Sequence, residues 1–407
     1  MYFVIFVDKI HKKDYHFVMN NFPRLINIDP EQKSSIFLFG PRATGKTTWL
    51  RKHFSQAIVI DLLKTEDYHN LLSNPSRLEH RIPPHFSGWV IIDEIQKVPM
   101  LLNEVHRLIE TYGYRFILTG SSARSLRRKG INLLAGRALD YRMHPLTCQE
   151  MQKSFSLEQA LQFGLLPAVY NAADPKHYLS TYITAYLREE ILQEGITRNI
   201  AEFSRFLEIA SFSQGALLNL SEIARESGIE RRTVNEYFSI LGDLLIGFEL
   251  PAFTKRAKRR LMTHSKFYYF DTGIYRTLRP KGPFDRADEI DGPALETLFF
   301  QHLRAINDYF RLGYTFYFWR TSNQAEVDFI AYGERGLLAF EIKRSKTILP
   351  KDLKNLKLFQ SDYEMAHLFM LYGGEHEEYY DNIRVLPFTK ALFQLKEILE
   401  NPLSTSN

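Results

Sequence analysis

Ile36-Phe37-Leu38-Phe39-Gly40-Pro41-Arg42-Ala43-Thr44-Gly45-Lys46-Thr47-Thr48 is an apolar run that passes into a glycine-bounded loop and then into the start of a helix. It fits GxxxxGK[ST] at every position. The chemistry explains the spacing. Gly40 and Gly45 let backbone N–H groups curl around phosphate oxygens, Lys46 reaches the β- and γ-phosphates, and the Thr47 hydroxyl ligates Mg2+. The helix that starts there adds its positive N-terminal dipole. The expected ligand is ATP with Mg2+, held by Gly40, Pro41, Arg42, Ala43, Thr44, Gly45, Lys46, Thr47 and Thr48. A lone match to this pattern arises by chance in long chains, but a strand before it and a helix after it supply the context that the motif needs.

Working outward, the 407 residues suffice for two or three domains, and 45% hydrophobic with 24% charged residues is an ordinary globular balance. A net charge of +5 permits a nucleic-acid partner without demanding one. Cys148 is the only cysteine, which excludes a disulfide framework or thiolate metal cluster and suits a reducing, cytoplasmic setting. The apolar start Tyr2–Val7 is too short for a signal sequence, and no run approaches the ~18 residues of a membrane span. The expectation is a soluble protein with no membrane partner.

After the loop, strand-like runs at Ala57–Leu62 and Trp89–Ile92 alternate with helical ones at Thr65–Leu72 and Met100–Tyr112. Such alternation predicts a parallel sheet with helices on both faces. Trp89-Val90-Ile91-Ile92 ends in Asp93-Glu94, an apolar strand followed by two carboxylates. Downstream of a phosphate loop, the first carboxylate is expected to hold Mg2+ and the second, Glu94, to polarise the attacking water. Arg115–Leu118 is a further strand that ends in Thr119-Gly120-Ser121-Ser122, and Leu134-Ala135-Gly136-Arg137-Ala138 precedes another.

Gly40-Pro41-Arg42 with Gly45-Lys46-Thr47-Thr48, Ile92-Asp93-Glu94-Ile95-Gln96, Leu118-Thr119-Gly120-Ser121-Ser122 and Leu134-Ala135-Gly136-Arg137 together resemble the prokaryotic AAA+ ATPases whose C-terminal half was long catalogued as a domain of unknown function. The likeness continues through Tyr269-Phe270-Asp271-Thr272-Gly273 and from Gly292 to Glu296. It implies an α/β protein with a P-loop AAA+ parallel-sheet domain, a helical and winged-helix middle, and a C-terminal nuclease-like domain. It also implies a sensor at Thr119 or Ser121 near the γ-phosphate. Arg137 is the candidate arginine finger toward a neighbouring subunit of a homo-oligomer, with a ring as one form of it; the basic run Arg127, Arg128 and Lys129 reads equally well as a solvated face.

Residues 1–33 read as a lead-in, 34–150 as the ATPase core, 151–215 as a helical lid broken at Pro167 and Pro175, and 216–285 as a winged-helix-like region. In the last of these, Leu220–Ala224, a turn at Gly228, and Arg231–Leu241 have helix-turn-helix spacing. Val234, Tyr237, Phe238 and Leu241 form an inward face, while Arg231, Arg232, Thr233 and Asn235 point out toward DNA. The densest basic run, Lys255-Arg256-Ala257-Lys258-Arg259-Arg260, stands where a wing would follow, so Lys255, Arg256, Lys258, Arg259 and Arg260 are further DNA candidates. A winged helix used only for packing is the alternative.

Residues 286–407 form the last region. An amphipathic helix over Gly292–Phe310 carries Glu296, and strands at Ala325–Ala331 and Leu337–Ile342 are joined by the hairpin signal Gly333-Glu334-Arg335-Gly336. A turn centred between Glu334 and Arg335 sets Asp328 opposite Glu341 and Glu326 opposite Lys343, all on one face. Opposed carboxylates repel unless a cation lies between them. Asp328 and Glu341 are therefore expected to ligate Mg2+, with Lys343 activating water and Glu296 completing the site. Helix-Glu, Asp and Glu-x-Lys is similar to the PD-(D/E)xK nuclease superfamily of restriction enzymes and Holliday-junction resolvases, a restriction-endonuclease-like α/β fold, with Val327 where the literal proline would be. Two functions follow as expectations. One is an ATP-hydrolysing protein with Mg2+-dependent cleavage of double-stranded or branched DNA. The other is a nucleotide-gated DNA- or partner-binding regulator whose nuclease-like domain is inactive.

Overall fold

The computed structural model describes residues 22–122, 134–187, 199–255, 259–282 and 285–402. Strands β1 (Ser35–Phe39), β2 (Ile58–Asp61), β3 (Trp89–Asp93), β4 (Arg115–Gly120) and β5 (Ala138–Arg142) form a wholly parallel sheet in the order β2-β3-β4-β1-β5. Its central strands β1, β3 and β4 are buried and mostly apolar because both faces are covered, whereas the edge strands β2 and β5 are partly exposed. Phe37 and Phe39 of β1 pack on one side with Leu102, Val105 and Leu108 of the helix Leu101–Tyr112. Ile36 and Leu38 pack on the other with Trp49 and Leu50 of the helix Lys46–His53. Since β1 lies between β4 and β5, the loop leaving it opens beside the ends of β4 and β3.

The middle of the chain is mostly helical. Pro167 and Pro175 interrupt it as the sequence suggests, each opening a new helix, Pro167–Tyr170 and Pro175–Thr181, where a missing N–H costs nothing. Leu220–Ser227 and Arg231–Asp243 meet across Gly228 and are followed by an antiparallel pair, β6 (Gly247–Leu250) and β7 (Lys266–Tyr269). Val234, Tyr237, Phe238 and Leu241 are buried in the core shared with Phe203, Phe206 and Phe267.

Asp271, two residues past the end of β7, explains a motif that the sequence shows only as a likeness. Its fully buried carboxylate accepts from Gly273 N (2.9 Å) and Ile274 N (3.2 Å), capping the helix Thr272–Leu278. Its other oxygen accepts from Leu165 N at 2.7 Å, which ties that helix to the turn at Gly164. Burial pushes this carboxyl up to about 6 against the three backbone donors that favour its charge.

The helix Ala287–Tyr309 starts five residues before the sequence-expected Gly292 and runs through Pro293. Glu289 accepts from Arg286 N at 3.4 Å, so the added turn is capped. After it come β8 (Thr315–Arg320), β9 (Glu326–Gly333), β10 (Gly336–Lys343), β11 (His367–Tyr372), β12 (Glu378–Tyr380) and β13 (Ile383–Pro387) in a mixed sheet ordered β12-β13-β11-β10-β9-β8. The β9–β10 hairpin has the expected register, from Gly333↔Gly336 to Phe329↔Phe340. Leu338 and Phe340 face Phe299, Leu303 and the helix Phe388–Glu400, whereas Leu337 and Ala339 face Leu356 and Phe359. The long helix also reaches the first sheet, where its Ala305 and Tyr309 join the core of Ile36 and Trp49.

Gly164 has φ +74°, and an added Cβ would lie 1.9 Å from Asp271 Oδ1. Gly164→Ala should therefore cost about 2–4 kcal/mol of stability, read as a lower urea midpoint with an unchanged slope. A midpoint equal to that of the wild type would show that the Asp271 clamp is not needed for folding.

Candidate nucleotide site and carboxylate cluster

The phosphate loop is preshaped by two different demands on glycine. Gly45 sits at φ +91°, a left-handed conformation that disfavours any Cβ, and Gly40 leaves no room because a Cβ would fall 2.3 Å from Met143 O. Ala43 also has positive φ, at 64°. Lys46 is buried, and its ammonium donates to the carbonyls of Gly40 (2.6 Å) and Pro41 (3.1 Å) at the rim of the loop. Thr44 Oγ1 donates back to Pro41 O at 2.8 Å, and Arg42 O accepts from Tyr182 Oη at 3.3 Å. Thr48 lies within the first turn of the helix.

Beneath the loop, three side chains from three elements form one hydrogen-bonded line. Thr47 Oγ1 donates to Asp93 Oδ2 at 2.8 Å, and the Thr119 hydroxyl donates to Asp93 Oδ1. Thr119 Oγ1 in turn accepts from Glu94 N at 3.2 Å. Glu94 is buried with φ 61°, a strained position for a residue with a side chain, and its carboxylate accepts from Gln96, which also donates to Ser121 Oγ at 3.2 Å. A hydroxyl beside a carboxylate is a hard-oxygen donor pair that fits Mg2+. Arg137 lies away from this line with its half-buried guanidinium on Glu110.

Arg24 is a member of this site that sequence reasoning passed over as lead-in. Its guanidinium donates to Thr44 O (2.5 Å) in the phosphate loop, His144 O (2.6 Å), Tyr309 Oη (2.8 Å) and Glu150 Oε1 (2.9 Å). Burial alone would lower its pKa, yet Tyr309 and Glu150 outweigh that and hold it above the ordinary value. An arginine in a polar leader carries no periodic signal that could have revealed this.

In the C-terminal sheet, the expected carboxylates do converge, but around a different cation. Lys266, the first residue of β7, is 2% exposed, with Nζ 2.5 Å from Glu326, 3.8 Å from Glu296 and 3.9 Å from Asp328. Glu296 also accepts from Tyr268 Oη at 2.7 Å. The predicted Glu326–Lys343 pairing is not made. Glu326 lies opposite Arg320 of β8 and bonds it at 2.9 Å, while Lys343 pairs with Glu341 at 2.9 Å. Asp328 and Glu341 lie just past the last ladder pair, and Asp328 Oδ2 accepts from Ile342 N at 2.8 Å.

Burial pushes Glu296 up to about 7, with Asp328 and Glu326 adding to the effect against Lys266. Burial also raises Asp328, and burial together with Asp328 raises Glu341 well above the usual carboxylate range. Glu341 Oε2 is buried with no partner, which suits a cation ligand. The rest of the arrangement does not fit the expected Mg2+ at Asp328 and Glu341. Among the described residues no group of three or more His, Cys, Asp or Glu is placed to hold a metal ion, and the Lys266 ammonium faces Asp328 and Glu296. The single lysine before Phe267-Tyr268-Tyr269 was the available clue, since a charge in a buried aromatic strand needs a partner.

Of the DNA candidates, Arg231, Arg232 and Asn235 are exposed on the second helix of the helix-turn-helix, and Thr233 is half-buried. Arg232 pairs with Glu236 one turn on. Arg256 and Lys258 lie outside the described residues. The loop between β6 and β7 is docked on β8 through Phe253 N to Phe318 O (2.7 Å) and Met262 N to Arg320 O (3.0 Å). Two of its cations are engaged within the chain, Lys255 over the Tyr332 ring at 4.4 Å and Arg259 on Asp362 at 2.8 Å, whereas Arg260 is exposed.

Residues 32–152 match the family described as AAA domain, the stretch that holds the five-stranded sheet, the loop and the Asp93 line. In sheet, loop and strand-end residues this part of the chain fits a P-loop AAA+ domain. Residues 154–285 and 291–391 match two domains of unknown function, DUF8612 and DUF4143. An uncharacterized protein of Mycobacterium tuberculosis is 27% identical over 357 residues, 84% of this chain and 77% of its own. One from Methanocaldococcus jannaschii is 24% identical over 367 residues, 79% of each chain. Among solved structures, the Aeropyrum pernix Orc1 protein in complex with DNA aligns over 61% of this chain and 87% of its own at 14% identity, with a TM-score of 0.22. No described helix is long and apolar enough to cross a membrane.

Two measurements test this geometry. Arg24→Met strands the buried Glu150 carboxylate and should cost about 3–5 kcal/mol, with Arg24→Met/Glu150→Gln recovering part of the loss; no recovery would mean that the pair is not the stabilising contact. For Glu296, a folded pKa near 7 against an ordinary 4.5 means that the folded state binds more protons between those values, so stability falls as pH rises through that window. Glu296→Gln should make the urea midpoint less pH-dependent there, leaving the part due to Asp328 and Glu341; an unchanged slope would place the titration elsewhere.

Proposed function

We propose that this protein is an ATP-hydrolysing switch that engages DNA through the helix Arg231–Asp243, its C-terminal sheet serving as a closed body that does not cut. The line Thr47–Asp93–Thr119–Glu94 carries the ATPase reading. In this reading Thr47 would ligate Mg2+ beside Asp93, Thr119 would sense the γ-phosphate and Glu94 would polarise water, all by the carboxyl ends of β3 and β4. When bound, Mg2+ would neutralise phosphate charge from Thr47 and Asp93, while Lys46 would leave the Gly40 and Pro41 carbonyls for phosphate oxygens. Gln96 holds Glu94 toward Ser121 and so makes Glu94 responsive to the sensor strand. Arg137 is the residue we assign to a neighbouring subunit's nucleotide in a homo-oligomer.

The exposed Arg231, Arg232 and Asn235 at the start of a helix that follows a Gly228 turn support DNA as the partner. The buried Lys266 among the C-terminal carboxylates supports a non-cutting body. Metal-dependent cleavage of branched DNA is the second reading, favoured by the partnerless Glu341 Oε2.

Lys46→Ala should abolish ATP turnover, and Glu94→Gln should lower kcat by about 100-fold or more while ATP binding persists. Wild-type turnover in Glu94→Gln would remove Glu94 from the role of base. Linear, forked and four-way DNA should remain intact with Mg2+ and ATP; cutting that is lost in Asp328→Ala would establish the second reading.

A further inference from the structure

The carboxylate cluster raises a question that the nucleotide site does not answer: what keeps four acids, Glu296, Glu326, Asp328 and Glu341, together in a buried site. Two of the cations present lie at the margin. Arg320 reaches only Glu326, and Lys343, which is 37% exposed, reaches Glu341. Among the described residues, Lys266 alone is both central and buried, with three of the four carboxylates within 4 Å of one Nζ at 2% exposure. It does not belong to the sheet that carries Glu326, Asp328 and Glu341. It comes from β7, whose partner β6 follows the helix-turn-helix.

We propose that Lys266 is the resident counter-cation of this cluster, an internal competitor that keeps divalent metal out as long as β7 is seated. Coulomb's law makes the exclusion strong. A dication at Asp328 and Glu341 would have to share the cluster with an ammonium that lies 3.9 Å from Asp328, and like charges that close in a buried site repel strongly. Removal of the ammonium without its carboxylates leaves the opposite situation, several buried anions with one oxygen, Glu341 Oε2, already without a donor. Such a set draws in a hard cation to replace the lost charge. The lysine and the metal are thus alternative counter-charges at one position in the fold, the cluster itself, and β7 decides between them. Since β7 and the loop before it are attached to the candidate DNA-binding element, that position is linked by covalent structure to the face bearing Arg231 and Arg232.

The test uses the full-length chain without nucleotide, so the P-loop contributes no metal site that depends on ATP and the outcome stands apart from the ATPase reading. Mn2+ binding is followed by electron paramagnetic resonance of the free ion and by calorimetry. Wild type and Asp328→Asn should bind Mn2+ alike, with no Asp328-dependent site up to millimolar ion. Lys266→Met should gain one site with a Kd at least tenfold below that millimolar limit, which is lost again in Lys266→Met/Asp328→Asn. Lys266→Arg, which keeps the charge, should behave as wild type. If Lys266→Met fails to fold, Lys266→Met/Glu326→Gln removes the charge together with its nearest partner and should show the same gain. An Asp328-dependent Mn2+ site in wild type overturns the proposal by itself, whatever the lysine variants do. So does a folded Lys266→Met or Lys266→Met/Glu326→Gln that gains no site.

Discussion

The buried guanidinium of Arg24 is the contact on which the arrangement of this molecule turns. It satisfies carbonyls of the phosphate loop and of the segment after β5, the hydroxyl at the end of the long helix and the carboxylate of Glu150. A charge so placed must keep all its partners, because each group left unpaired away from water costs more than the bond itself contributes. The position of the loop, the exit of the first sheet and the Tyr309 end of the helix Ala287–Tyr309 are therefore specified together. Tyr309 Oη also accepts from His144 N at 3.0 Å, which leaves it little freedom to shift alone.

The long helix makes that coupling matter at a distance. One end lies in the core under β1, and about four turns away Glu296 enters the Lys266 cluster. A second tie, the Asp271 carboxylate, holds the turn at Gly164 against the helix that follows β7. The strand that carries Lys266 is thus anchored at its exit by Asp271 and before its start by the loop docked on β8. Nucleotide chemistry at the first sheet and charge placement in the second sheet are connected through packed elements rather than through a flexible tether.

Legibility in the sequence followed the range of the interactions. The phosphate loop, the Asp93-Glu94 pair and the β9–β10 register could be read because each is set by neighbours along the chain: a loop of fixed length, a strand end, a two-residue turn. The helix-turn-helix was readable for the same reason, since Gly228 and the 3.6-residue spacing of Val234, Tyr237, Phe238 and Leu241 are local. The helix start expected at Gly292 lies five residues too late, because a capped turn before Pro293 extends the helix to Ala287.

The residues of the chain by themselves determined a parallel-sheet domain with a P-loop and an acid-tipped strand, a helix-turn-helix, and a hairpin that brings Asp328 and Glu341 together, all products of local geometry. Tertiary structure alone decided which cations meet those anions. Arg24 finds Glu150 126 positions away, and Lys266 finds Glu326 across the boundary between two sheets. Neither pairing leaves a trace in periodicity or spacing. Charge attracts through space irrespective of sequence separation, and burial then selects the one partner that the packed fold places within reach.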